Sequence, residues 1–121
     1  MNEHILIVDD QPEVLGVLSA AFRAKGYRVT AAVTAIEALR AAQADPPALA
    51  ICDLQLSESD GMRLLAQLRG LIPQLPTILL TGVLFDPQVI EASMGSLVSS
   101  YLPKPSRLNR ILDEAGRLLK S

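Results

Sequence analysis

The sequence predicts an α/β fold: a mainly parallel sheet covered by helices on both faces. Three observations carry this. Short apolar runs alternate with helix-length amphipathic segments along 121 residues, the pattern of strand–helix–strand units with right-handed crossovers. The runs "ILIV", "LAIC" and "TILL" are apolar throughout, as strands buried on both faces must be. Helix starts carry recognisable capping chemistry.

In chain order, the strand-like runs are 4–8 (HILIV), 27–32 (YRVTAA), 48–52 (ALAIC), 76–81 (PTILLT) and 96–102 (SLVSSYL). The first helix opens at "DQPE", with Asp10 placed to cap, Pro12 tolerated in the first turn and Glu13 three residues after Asp10. Val14, Leu18, Ala21 and Phe22 fall on one face, and Gly26 ends it. The second opens at the Thr-x-x-Glu capping box of Thr34 and Glu37 and closes before Pro46 and Pro47. A third follows "SESDG", with Met62, Leu65 and Leu68 as its stripe, and a fourth opens at Asp86 and Pro87. The last follows Pro105 and carries Leu108, Ile111, Leu112, Ala115 and Leu119 at helical spacing.

Totals bound the function. The length fits one domain, 1–121. Eleven Lys and Arg against thirteen Asp and Glu give a net charge of -2 without a basic block, which argues against direct nucleic-acid binding. No apolar run approaches a membrane span, and no basic-then-apolar leader opens the sequence, so a cytoplasmic protein without membrane contact is expected. The single cysteine, Cys52, excludes an internal disulfide and sits in "ALAICDL" as a buried thiol.

Ligands of open α/β sheets bind outside the carboxyl ends of the strands. The first strand ends in Asp9 and Asp10, the third in Asp53, the fourth in Thr81 followed by Gly82, and the fifth is followed by Lys104 and Pro105. Carboxylates gathered in one crevice repel each other, and a hard divalent cation with oxygen ligands relieves this, which describes a magnesium site. Lys104 adds a point charge suited to a phosphoryl oxygen, and Thr81 adds a hydroxyl donor. The chemistry this suggests is phosphoryl transfer onto a carboxylate nucleophile.

These motifs, "VDDQP", "ICDLQLSESDG", "ILLTG" and "YLPKP", resemble in content and order the receiver domain of bacterial two-component response regulators, over nearly the whole chain. The resemblance implies a flavodoxin-like, doubly wound (βα)5 sandwich with parallel strand order 2-1-3-4-5. It implies Asp53 as the phosphorylated aspartate. Asp9, Asp10, Asp53 and the backbone carbonyl of Gln55 would hold Mg2+, with Asp10 a direct ligand. Lys104 and Thr81 would bind the phosphoryl group. Thr81 and Tyr101 would form the switch pair, and Pro105 would follow a cis peptide bond. Gln55 and Val83 would tune the lifetime of the acyl phosphate. The implied partner is a sensor histidine kinase or histidine phosphotransfer protein, with an output-domain or dimer contact through the fourth helix, fifth strand and fifth helix. The sequence departs from the family pattern at Ser57, where a proline is common, and at Leu97 and Val98, which occupy the places of the Gly-Ala pair that usually begins the fifth strand, with Gly95 coming earlier.

Each residue alone has an ordinary use: Asp10 as a helix cap, Asp53 as a turn former, Lys104 as a solvated lysine, Thr81 as a strand-end hydroxyl, Tyr101 as an edge aromatic. Convergence at one edge favours the functional reading. Asp9 shows no local structural use, Asp60 reads as structural, and His4 stands at the opposite edge. Phe85, Val89, Ile90 and Leu97 read as core or switch-face residues. An aspartate-nucleophile phosphatase would want an acid two residues after the nucleophile, where this chain has Gln55. A flavin carrier would want hydroxyl and backbone donors where this chain is acidic. A receiver-fold docking module without phosphorylation is the third alternative. The expected protein is a switch and not an enzyme.

Overall fold

A computed structural model describes residues 3–53, 61–81, 100–103 and 108–120. The elements run β1 (His4–Val8), α1 (Pro12–Ala24), β2 (Arg28–Ala32), α2 (Ala35–Ala44), β3 (Leu49–Asp53), α3 (Gly61–Leu71), β4 (Thr77–Thr81), β5 (Ser100–Pro103) and α4 (Leu108–Lys120). The five strands form one sheet in the order β2-β1-β3-β4-β5, and every pairing is parallel. The doubly wound arrangement is as expected. The helix anticipated at Asp86, the first residues of the fifth strand run and the loop of Ser57 and Asp60 lie outside the described residues.

Strand alternation divides the interior into two cores. Leu6 and Val8 of β1 join Ala50, Cys52 and Leu79 under α2 and α3, which contribute Ala35, Ala38, Ala42, Leu64, Leu65 and Leu68. Ile5 and Ile7 face the other way, with Leu49, Ile51, Ile78 and Leu80, under Leu15, Leu18 and Phe22 of α1 and Ile111, Ala115 and Leu118 of α4. β1 is therefore buried along its whole length, which is why it reads as an unbroken apolar run. Cys52 is a buried free thiol. No described helix is long and apolar enough to cross a membrane.

Local chemistry sets the element ends. α1 stops in a Schellman motif: Gly26 (φ 96) donates its N–H to the Arg23 carbonyl and Tyr27 donates to the Phe22 carbonyl, satisfying two carbonyls that the helix leaves open. The Tyr27 and Phe22 rings, 5.7 Å apart, close the motif with its apolar contact. Tyr27 is thereby used as a cap, and β2 begins one residue later than the apolar run suggests. α2 has the expected box. Thr34 Oγ1 accepts from the Glu37 N–H at 3.2 Å, and Glu37 Oε2 reaches back to the Val33 N–H at 3.0 Å. β4 begins at Thr77 because Pro76 has no N–H to donate; its carbonyl accepts the Ala50 N–H.

The start of α1 corrects one expectation. Asp10 does not cap it: the N-cap is Gln11, in extended conformation, without a side-chain capping bond. Pro12 explains this, because proline favours the first helical position and forces its predecessor out of the helical region. The buried face of α1 is also centred on Leu15, Leu18, Ser19 and Phe22, with Val14 and Ala21 half-buried at its margin.

At the amino edge, His4 is buried and its Nε2 lies 2.7 Å from Thr30 Oγ1. Arg28 donates to Asp45 at 2.7 Å, and this hydrogen bond holds the Asp45 carboxyl below its ordinary range. Gly16 sits on the exposed side of α1, and a Cβ built there meets nothing within 4 Å. Gly16→Ala should therefore stabilise the domain by about 0.5–1 kcal/mol, by restricting the unfolded chain and improving helix propensity. Urea denaturation would show this as a higher midpoint at unchanged slope.

Candidate functional site

The parallel register determines what meets at the carboxyl edge. Val8 is level with Cys52, so Asp9 and Asp53, each the next residue, stand at one level on adjacent strands. Neighbouring strands lie about 4.8 Å apart. Asp53 is level with Leu80, and Thr81, one step further, is level with Pro103. Lys104 follows Pro103 in sequence. The backbone thus brings the ends carrying Asp9, Asp53 and Thr81 onto three consecutive strands of one edge. Asp10 follows Asp9 on the loop to α1.

Asp9 is firmly anchored. It is fully buried, its N–H extends the β1–β2 ladder by donating to the Ala32 carbonyl at 3.1 Å, and its Oδ1 accepts the Gln11 N–H at 2.9 Å. The last bond is an Asx-turn, a side chain standing in for a backbone turn. It overturns the expectation that Asp9 has no local structural use, while Asp10, expected as the helix cap, does not cap. Asp10 is half-buried at a bend, with its carboxylate left out of the helix cap. The second strand also contributes more than anticipated, because the Ala32 carbonyl helps pin Asp9 in place. An Asp two residues before the amide that precedes Pro12 was the signal for this arrangement.

The donor set fits a hard cation on its own chemistry. A rigidly held carboxylate next to a partly solvated one offers oxygen ligands with room for water, the combination Mg2+ prefers. Among the described residues no group of three or more His, Cys, Asp and Glu side chains gathers to hold a metal. The side chains of Asp53, Met62, Thr81 and Tyr101 lie outside that set. So do Gln55, Gly82, Val83, Phe85, Val89, Ile90, Gly95, Leu97, Val98, Lys104 and the peptide before Pro105. His4 belongs to the other edge, at the opposite end of β1 from Asp9.

Residues 5–115 match the family profile of the response regulator receiver domain. The chain is 35% identical over 115 residues to the transcriptional regulatory protein GlrR of Escherichia coli (strain K12), covering 93% of this chain and 26% of that protein. It is 33% identical over 122 residues to the response regulator MprA of Mycobacterium tuberculosis (strain ATCC 25177 / H37Ra), covering 99% and 52%. The chain thus spans between about a quarter and a half of these curated relatives. A CheY-like response regulator receiver domain protein from Methanospirillum hungatei JF-1 superposes with a TM-score of 0.91 at 28% identity, covering 99% of this chain and 95% of that one. With residues 5–115 matched by the family profile and the five parallel strands in the order β2-β1-β3-β4-β5, the chain belongs to the response regulator receiver domain family.

Proposed function

We propose that this receiver accepts a phosphoryl group on Asp53 from the phosphohistidine of a sensor kinase or phosphotransfer protein and so switches an output surface. The observation that carries the reading is the register, which sets the ends of β1, β3 and β4 side by side at the carboxyl edge. In the transfer, a carboxylate oxygen of Asp53 attacks phosphorus, the P–N bond to the donor imidazole breaks, and the imidazole leaves as a neutral ring once protonated. An acyl phosphate remains on Asp53 until water attacks it. Mg2+, held by Asp9, Asp10, Asp53 and the carbonyl of Gln55, would supply charge neutralisation at the phosphoryl oxygens. Lys104 contributes a fixed positive charge beside those oxygens. Thr81 donates its hydroxyl, and its movement frees the space into which Tyr101 turns.

The charge placed on Asp53 acts by shifting an equilibrium between two arrangements. The output-domain or dimer contact is assigned to the helix opening at Asp86, β5 and α4. Pro105 takes the family's cis-proline position, and Gln55 with Val83 tunes the lifetime of the acyl phosphate. The turnover of this one group on the protein's own side chain makes it a switch, working in the cytoplasm.

Intact-mass measurement after incubation with acetyl phosphate tests the reading. The wild-type chain should gain about 80 Da, one phosphoryl group, only when Mg2+ is present, and Asp53→Asn should gain nothing. A gain retained in Asp53→Asn would remove Asp53 from the role, and equal gains with and without Mg2+ would remove the metal from the mechanism.

A further inference from the structure

We propose that the outer edge of β2 is a latent self-pairing surface, suited to the same edge of a second copy of this chain, and that Arg23 and Glu37 hold it shut. β2 stands at one end of the sheet, so its far side presents backbone N–H and C=O groups on which another strand can add. Along a parallel ladder, alternate residues of a strand bond to the same neighbour. Arg28 donates its N–H to the Glu3 carbonyl and the Ala32 carbonyl accepts from Asp9, which assigns Arg28, Thr30 and Ala32 to β1. Val29, Ala31 and, continuing the alternation, Val33 therefore turn their backbone groups outward.

The stretch 28–33, RVTAAV, suits an added strand. It has no proline, one charge at its end, and β-favouring Val and Thr. Ala31 and Val33 are exposed. An antiparallel pair with its two-fold axis at Ala31 sets Ala31 against its own copy and Val29 against Val33. Arg28, the only charge of the stretch, then faces Thr34, so no like charges oppose each other. The edge is self-complementary, which makes a second copy its occupant.

Two guards interrupt this pairing. Arg23 Nη2, from the last turn of α1, donates to the Val29 carbonyl at 3.3 Å. Glu37 Oε2, from the first turn of α2, accepts the Val33 N–H at 3.0 Å. In the pair, Val33 of one copy would donate to the Val29 carbonyl of the other. The guards thus occupy the donor and the acceptor of one and the same cross-chain hydrogen bond, and the two-fold axis repeats the block. α1 and α2 pack on opposite faces of the sheet, so the edge is closed from both sides. Towards the start of β2, the Tyr27 N–H is already taken by the Phe22 carbonyl, which ends the open stretch.

Cysteine cross-linking of the whole chain, without phosphodonor, tests this. Ala31→Cys is the reporter, because Cys52 is buried and residue 31 would meet its own copy. Disulfide-linked dimer is measured after mild oxidation, alone and combined with Arg23→Ala or Glu37→Ala, and sedimentation equilibrium without the reporter gives the association constant. Each guard variant should strengthen association about tenfold, since each frees a group of a hydrogen bond made twice per dimer. Glu37→Gln, whose amide oxygen can still accept the Val33 N–H, should behave as wild type. Glu37→Ala also weakens the cap of α2, so Arg23→Ala, at an exposed position, decides the case. Unchanged association in Arg23→Ala would overturn the proposal. So would cross-linking through an Ala20→Cys reporter, on the outer face of α1, as efficient as through Ala31→Cys.

Discussion

Asp9→Asn is expected to lower the affinity for Mg2+ by about 10- to 100-fold, the range seen when a metal site loses one supporting group, while leaving the fold intact. The reason lies in the two jobs the side chain combines. Its Oδ1 accepts the Gln11 N–H, which an amide oxygen can also do, whereas its charge has no substitute in asparagine. In Mg2+-free buffer the variant should melt at or above the wild-type temperature, because a fully buried carboxylate close to other acidic residues carries a repulsion that the amide removes. Mg2+ should then raise the wild-type melting temperature and leave the variant almost unmoved, since a ligand stabilises only the state it binds. Asp9→Ala should add a structural loss of about 1 kcal/mol from the broken Asx-turn. Calorimetric titration with MgCl2 gives the affinities. Wild-type affinity in Asp9→Asn would restrict Asp9 to the turn alone.

Phe22→Ala carries the largest expected effect on stability, a loss of about 3–5 kcal/mol. Phe22 is fully buried, belongs to the core between the sheet, α1 and α4, and bears the ring on which Tyr27 closes the Schellman turn. Truncation leaves a cavity at the junction of three elements and loosens the cap at once. Against a total stability of about 5–15 kcal/mol for a domain of ordinary kind, the variant would be marginal at 37 °C. Urea unfolding should show a much lower midpoint with little change in slope. A loss below about 1 kcal/mol would mean that α1 repacks without the ring.

The fold was legible because its signals are local. The unbroken apolar run of β1 reports burial on both faces, and the Thr34–Glu37 box and the period of α4 each depend on residues within a turn or two of one another. Which residues reach the carboxyl edge was legible for the same reason: it follows from where apolar runs stop. Asp9 and Asp10 were misassigned between themselves. Their spacing to Glu13 matches a capping box, but Pro12 takes the first helical position, moves the cap to Gln11 and passes the turn-forming bond to Asp9. Strand starts at Arg28 and Thr77 were displaced in the same way, by a Schellman cap and by a proline without an N–H.

By itself, then, the sequence determined the strand and helix order, the two-sided burial of the central strands and the set of acidic and hydroxyl residues delivered to one edge, since each is written in periodicity and in the chemistry of neighbours. Tertiary structure alone decided which carboxylate is sealed and which meets solvent, and that Arg23 and Glu37, from helices on opposite faces of the sheet, meet at the outer edge of β2. Burial and proximity are set by how separate elements pack, and no local pattern encodes where a side chain of α1 lies relative to one of α2.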